Sequence, residues 1–263
     1  METWPQKSSS AAQGPTGAPS TATQSPRVHG LPRGHSSTAQ PEQPGPAGAP
    51  LQPLAAAAIA AAGGFAILVL EIVGARYLAK DFGSSFYVWV SQIGVVMIAL
   101  ALGYYVGGAL ADRWQQLRRL AWLLWPAGLF TWAIPWIAPP TMDWIVNRHP
   151  PEEPIPPLWQ KLDPALGSGV IFLFPCFILA MLSPYLIRLA SQRLTHVGRV
   201  SGLIIAASTV GSIAGVFVAG YVLVDHMGLS SIFRWTGGMI VLLGGVCWWA
   251  DPGARSVRRG KPS

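Results

Sequence analysis

Six apolar blocks, at residues 54–78, 86–111, 118–138, 166–189, 200–224 and 230–250, dominate this chain of 263 residues. Each is long enough to cross a hydrocarbon core of about 30 Å as a helix rising 1.5 Å per residue. The blocks lack the alternation of barrel strands, and in lipid a helix satisfies its backbone hydrogen bonds internally. The expected fold class is therefore all-α: a polytopic membrane helix bundle with six transmembrane helices. Composition agrees, since 51% of the residues are hydrophobic and only 11% are charged, where a soluble domain carries roughly a quarter charged.

The segments outside the blocks differ in character. Residues 1–53 are dense in Pro, Gly, Ser, Ala, Thr and Gln and have little to bury, so a disordered cytoplasmic tail is expected. They contain no signal-peptide core, which leaves the first span as the expected insertion signal. The many prolines of residues 139–165 predict a stiff, extended cover over the bundle. Residues 251–263 form a basic tail. The net charge of +7 is distributed by topology. Arg113, Arg118 and Arg119 follow the second span, Arg188, Arg193 and Arg199 the fourth, and Arg255, Arg258, Arg259 and Lys261 the sixth. With six spans these share one side, which the positive-inside rule makes the cytoplasm, and both termini lie there. Nucleic acid is not needed to explain the charge. The tryptophans near span ends, among them Trp122, Trp125, Trp144 and Trp248, are expected to anchor at the membrane interfaces.

The second span carries Ala99, Gly103, Gly107 and Ala111 along one helix face, and the fifth carries Ala207, Gly211, Gly215 and Ala219 at the same spacing, 108 residues later. Gly94 and Gly202 extend the match. Small faces let helices approach closely where lipid removes the hydrophobic drive. The same offset places the first span on the fourth and the third on the sixth, an inverted 3+3 repeat of the kind found in transporters.

Glu71 lies well inside the first span, where a free carboxylate is costly. It is expected either to couple a proton or bind a cation, or to make a structural bond between helices. Arg76 and Arg234 lie near span ends, where snorkelling is the ordinary role, and Arg76 is also a candidate for the substrate or ion site beside Glu71. Pro126 and Pro135 fall in the third span and Pro175 and Pro184 in the fourth, each removing a backbone donor. Ser183, Tyr185 and Arg188 combine with Pro184 to place a hydroxyl and a charge beside a helix break, as a candidate substrate site or a kink. Cys176 and Cys247 are far apart in apolar blocks, and His149, His196 and His226 lack metal-ligand spacing. No phosphate loop, zinc motif or nucleophile elbow is present, so no cofactor or metal is expected.

Several stretches together resemble the membrane part of bacterial fused major facilitator and spermidine synthase proteins. They are Leu70-Glu-Ile-Val-Gly-Ala-Arg76, Phe82-Gly-Ser-Ser85, Tyr87-Val-Trp89, Leu102-Gly-Tyr-Tyr-Val-Gly-Gly108, Ser183-Pro-Tyr185, Val197-Gly-Arg199 and Ser208-Thr-Val-Gly-Ser-Ile-Ala-Gly215. Gly107-Gly-Ala-Leu-Ala-Asp-Arg113 likewise resembles the major facilitator signature after the second helix, although Trp114 and Gln115 follow in place of Gly and further basic residues. That resemblance implies a cytoplasmic latch at Asp112 and Arg113, a bacterial inner-membrane location and a link to polyamines. The family's aminopropyltransferase domain follows its membrane helices, whereas this chain ends at Ser263, so no enzymatic activity is expected of it. Two readings remain open: a transporter-like protein handling a small cationic solute, and a membrane anchor for a separately encoded soluble aminopropyltransferase-like partner. A homodimer is the expected oligomer, because six spans make half of a standard major facilitator unit.

Overall fold

The computed structural model describes residues 51–83, 86–149, 155–191 and 197–251, all within the unit formed by residues 45–263. The expected disordered tail up to residue 50, and the basic tail after residue 251, lie outside the described residues, as do Arg193 and His196. The helices are α1 (Pro53–Phe82), α2 (Phe86–Trp114), α3 (Leu117–Asn147), α4 (Pro157–Ala180), α5 (Leu182–Ala190) and α6 (Val197–Val218). A π-helical turn (Ala219–Leu223), the short α7 (Val224–His226) and α8 (Leu229–Trp249) complete the order. They make six stretches long and apolar enough to cross a membrane, with α4 and α5 counting as one and α6 to α7 as another.

The prolines act differently from one another. Pro184 coincides with a break: α4 ends at Ala180, four residues before it, where the pyrrolidine ring crowds the carbonyl and no donor is available. Pro175, Pro126 and Pro135 lie inside continuous helix. The extended cover expected over residues 139–165 is corrected. Helix α3 runs through Pro139 and Pro140 to Asn147, and α4 already begins at Pro157, a proline tolerated in a first turn. Packing holds this extension, for Met142 and Ile145 are buried and the Met142 side chain lies against Gly167 of α4.

The helices meet where side chains are smallest. A β-carbon added to Gly211 would lie 2.7 Å from Ala61 Cα, and one added to Gly215 would lie 2.6 Å from the Phe65 carbonyl oxygen. Because these contacts advance together along both chains, α1 and α6 run parallel. Gly103 against Phe177 and Gly107 against Met181 set α2 parallel to α4 in the same way. By contrast, Gly63 meets Leu182 while Gly74 meets Phe172, so α1 and α4–α5 are antiparallel. Gly128 and Gly237 face each other's backbones, flanked by Val241 and Trp132, and make α3 antiparallel to α8.

This pattern is unchanged when the halves are exchanged. The pair α1 with α6 becomes α4 with α2, α3 with α8 maps onto itself, and counterpart helices oppose one another, as an inverted repeat requires. One expectation needs correction. The offset of 108 fits Gly103 with Gly211 and Gly107 with Gly215, but their partners Phe177 and Met181 follow Ala61 and Phe65 by 116. A single offset therefore does not superimpose the first span on the fourth. Ala99, Ala111 and Ala219 are fully buried and Ala207 is half-buried, whereas Gly94 and Gly202 have no neighbour within 4 Å and face outward.

Gly211→Leu is expected to lower the detergent unfolding midpoint by about 5 °C, since overpacking costs about 1–3 kcal/mol. Gly202→Ala should leave the midpoint unchanged. Equal effects in circular-dichroism melts would contradict this packing.

Candidate functional site

The straight run of α1 carries Glu71 to the crossing of α1 and α4, between the Gly63 and Gly74 contacts. The residue is half-buried, and its carboxylate lies within electrostatic reach of the fully buried Cys176 of α4. Gly74 follows Glu71 by about one turn on the same helix face. There a missing side chain admits the end of Gln92 from α2, whose Nε2 would lie 2.6 Å from a β-carbon at Gly74. Gln92 is fully buried, and its Oε1 accepts a hydrogen bond of 2.6 Å from Ser168 Oγ of α4. Its Nε2 has no hydrogen-bond partner among the described residues. The Gln92–Ser168 pair thus lies beside Gly74, whereas Cys176 stands about two turns further along α4.

Two polar ties hold the opposite ends of α4–α5. At the end with the α2–α3 turn, Arg188 Nε donates to Asp112 Oδ1 at 2.6 Å. The Tyr185 hydroxyl donates to the Gln116 carbonyl at 2.7 Å. The turn itself is tight, with Gln115 at φ +42°, a left-handed conformation costing about 1–2 kcal/mol. At the other end, Asp163 is 4% exposed and pairs with both Arg148 and His149. The Arg148 guanidinium also lies over the Trp159 ring, 4.1 Å from its centre.

The structure unites two groups that the sequence suggested separately, because Asp112 meets Arg188. Its neighbour Arg113 is exposed, so the acid's partner comes from α5. Ser183 points elsewhere: its hydroxyl lies 3.5 Å from Ser208 of α6, beside the Gly64 contact. Arg76 is exposed at the far end of α1, and Arg234 lies over the Trp136 ring at 4.7 Å. Trp122, Trp125 and Trp248 form one ring cluster, with Arg118 stacked on Trp248 at 3.4 Å.

Sequence reasoning passed over Gln92, Ser168 and the Asp163 cluster, and it treated His149 as isolated. A lone amide within an apolar run was the available signal for Gln92. Asp163 and its partners flank a Pro-rich connection, and nothing in their spacing pairs them. An open groove of about 620 Å³ between α3 and α4, bounded by Trp144, Arg148, Leu166 and Val170, contains none of the sequence candidates. Comparison with protein families, curated proteins and solved structures finds no match.

Asp163→Asn is expected to cost about 2–4 kcal/mol of stability, because it leaves a buried pair broken. Asp112→Asn should cost less than about 1 kcal/mol, since Asp112 and Arg188 are 68% and 52% exposed. Denaturant unfolding in detergent checks the order, and an equal loss would show that burial does not distinguish the two ties.

Proposed function

We propose that this chain is a membrane carrier for a small cationic solute, with Glu71 as its binding or coupling acid. The observation that carries the reading is the position of Glu71, inside the bundle at the α1–α4 crossing. An acid kept within apolar spans is costly unless it is used. Support also comes from the inverted arrangement of the halves, since carriers of this construction hold substrate near the middle, between their repeats. The ties at Asp112–Arg188 and at Asp163 are suited to act as gates, because they fasten opposite ends of the same broken helix. Opening one while the other holds would expose Glu71 to a single side.

The resemblance to fused major facilitator and spermidine synthase proteins makes polyamines the first solutes to try. On the same reading the protein sits in a bacterial inner membrane with both termini in the cytoplasm. Exposed Arg113 and Arg199 favour a second reading, in which this face docks a soluble aminopropyltransferase-like partner.

Purified protein in liposomes should exchange external labelled spermidine for internal spermidine, and Glu71→Gln should reduce exchange to the level of empty liposomes. A folded protein that exchanges nothing would count against the carrier and favour docking, to be followed by co-purification. Exchange unaffected by Glu71→Gln would remove Glu71 from the site.

A further inference from the structure

We propose that the corner between α2 and α3 binds an anionic phospholipid, with the lipid phosphate on Arg119 and the glycerol against Trp122 and Leu123. The inference is independent of the carrier reading and concerns a separate place, the end of the bundle that holds the α2–α3 turn. An open pocket of about 290 Å³ lies there, lined by Trp114, Arg119, Trp122 and Leu123. Trp114 is the last residue of α2, and the tight turn at Gln115 brings its ring to 5.7 Å from the Arg119 guanidinium. Trp122 follows Arg119 by three residues, which puts both on one face of α3.

The charge at this corner favours an anion. Arg119 donates one side-chain hydrogen bond, to the neutral Gln116, and makes no ion pair among the described residues. Arg113 and Arg118 are also exposed and without an ion pair among the described residues, Arg118 being stacked on Trp248. The acids nearby are engaged: Asp112 holds Arg188, and the buried Asp251 accepts from the Arg118 backbone N–H. A guanidinium matches two phosphate oxygens at once. Depth then selects a lipid. Arg119 lies in the first turn of a span, and exposed Trp122 stands about 4.5 Å further along the axis. An exposed indole belongs at the headgroup boundary, which sets the guanidinium at the level of the phosphates. The pocket is too small for a whole lipid but open, so an acyl chain can run on past exposed Leu129, two turns further on the same face. No carboxylate lines the pocket to receive the ammonium of a zwitterionic headgroup, which favours a lipid of net negative charge.

The test uses the full chain in detergent and reads the thermal unfolding midpoint with dioleoyl phosphatidylglycerol, against dioleoyl phosphatidylcholine and against inorganic phosphate. Phosphatidylglycerol near saturation should raise the midpoint by about 3 °C, and neither of the other two should. Arg119→Gln, a change at an exposed side chain, should abolish the rise. Leu123→Trp keeps every charge but fills the pocket, and should weaken the rise. Arg199→Gln removes one exposed charge from α6 and should leave the rise intact. No rise in the native chain, an equal rise with phosphatidylcholine, or an undiminished rise in the position 119 or 123 variant would each overturn the proposal. An equal rise with inorganic phosphate would overturn the lipid in favour of a soluble anion. Loss of the rise in Arg199→Gln would overturn the site in favour of diffuse surface charge.

Discussion

Everything in this bundle depends on how closely helix backbones can approach one another. Lipid is as apolar as the side chains it meets, so burial gives these helices little reason to associate. Dispersion at short range and contacts between backbones have to supply it. Glycines at positions 103, 107, 128, 211, 215 and 237 provide that range, each placed where a β-carbon would strike a neighbour. They bind α1 to α6, α2 to α4 and α3 to α8, and Gly63 and Gly74 join the first of these pairs to α4–α5.

The polar groups exploit this framework and do not create it. Gln92 reaches α1 only because Gly74 leaves room, and Ser183 meets Ser208 beside the gap at Gly64. Among the described residues, the ion pairs made by α4–α5 lie at its ends. The break near Met181 lies between the two ties, where the Met181 backbone packs against Gly107 of α2.

The fold was legible because membrane helices announce themselves by length: an apolar run long enough to cross lipid has few alternatives. Direction and pairing were partly legible, through the small residues common to the second and fifth spans. The register of the first and fourth spans was not, because the residues that meet the glycines, Ala61 and Phe65 on the first and Phe177 and Met181 on the fourth, do so largely through their backbones and share no small-residue pattern. Glu71 stood out as a charge in an apolar run. Gln92 did not, since a neutral amide gives no clue to the helix face it occupies. Proline misled in the other direction. Pro139 and Pro140 suggested an extended loop, but the burial of Met142 and Ile145 against α4 outweighs the lost donors.

Helix α3 also carries a measure of the bilayer it suits. Exposed Trp122 and Trp144 lie near its two ends, and at 1.5 Å per residue their separation along the axis is about 33 Å. That is close to the hydrocarbon thickness of a typical membrane, so α3 stands nearly upright when both indoles sit at headgroup depth. In a thinner bilayer the whole bundle would have to lean, because its glycine contacts leave no helix free to tilt alone. A thinner bilayer would therefore change the tilt of the bundle as one body and leave the α1–α4 crossing and both ties as they are.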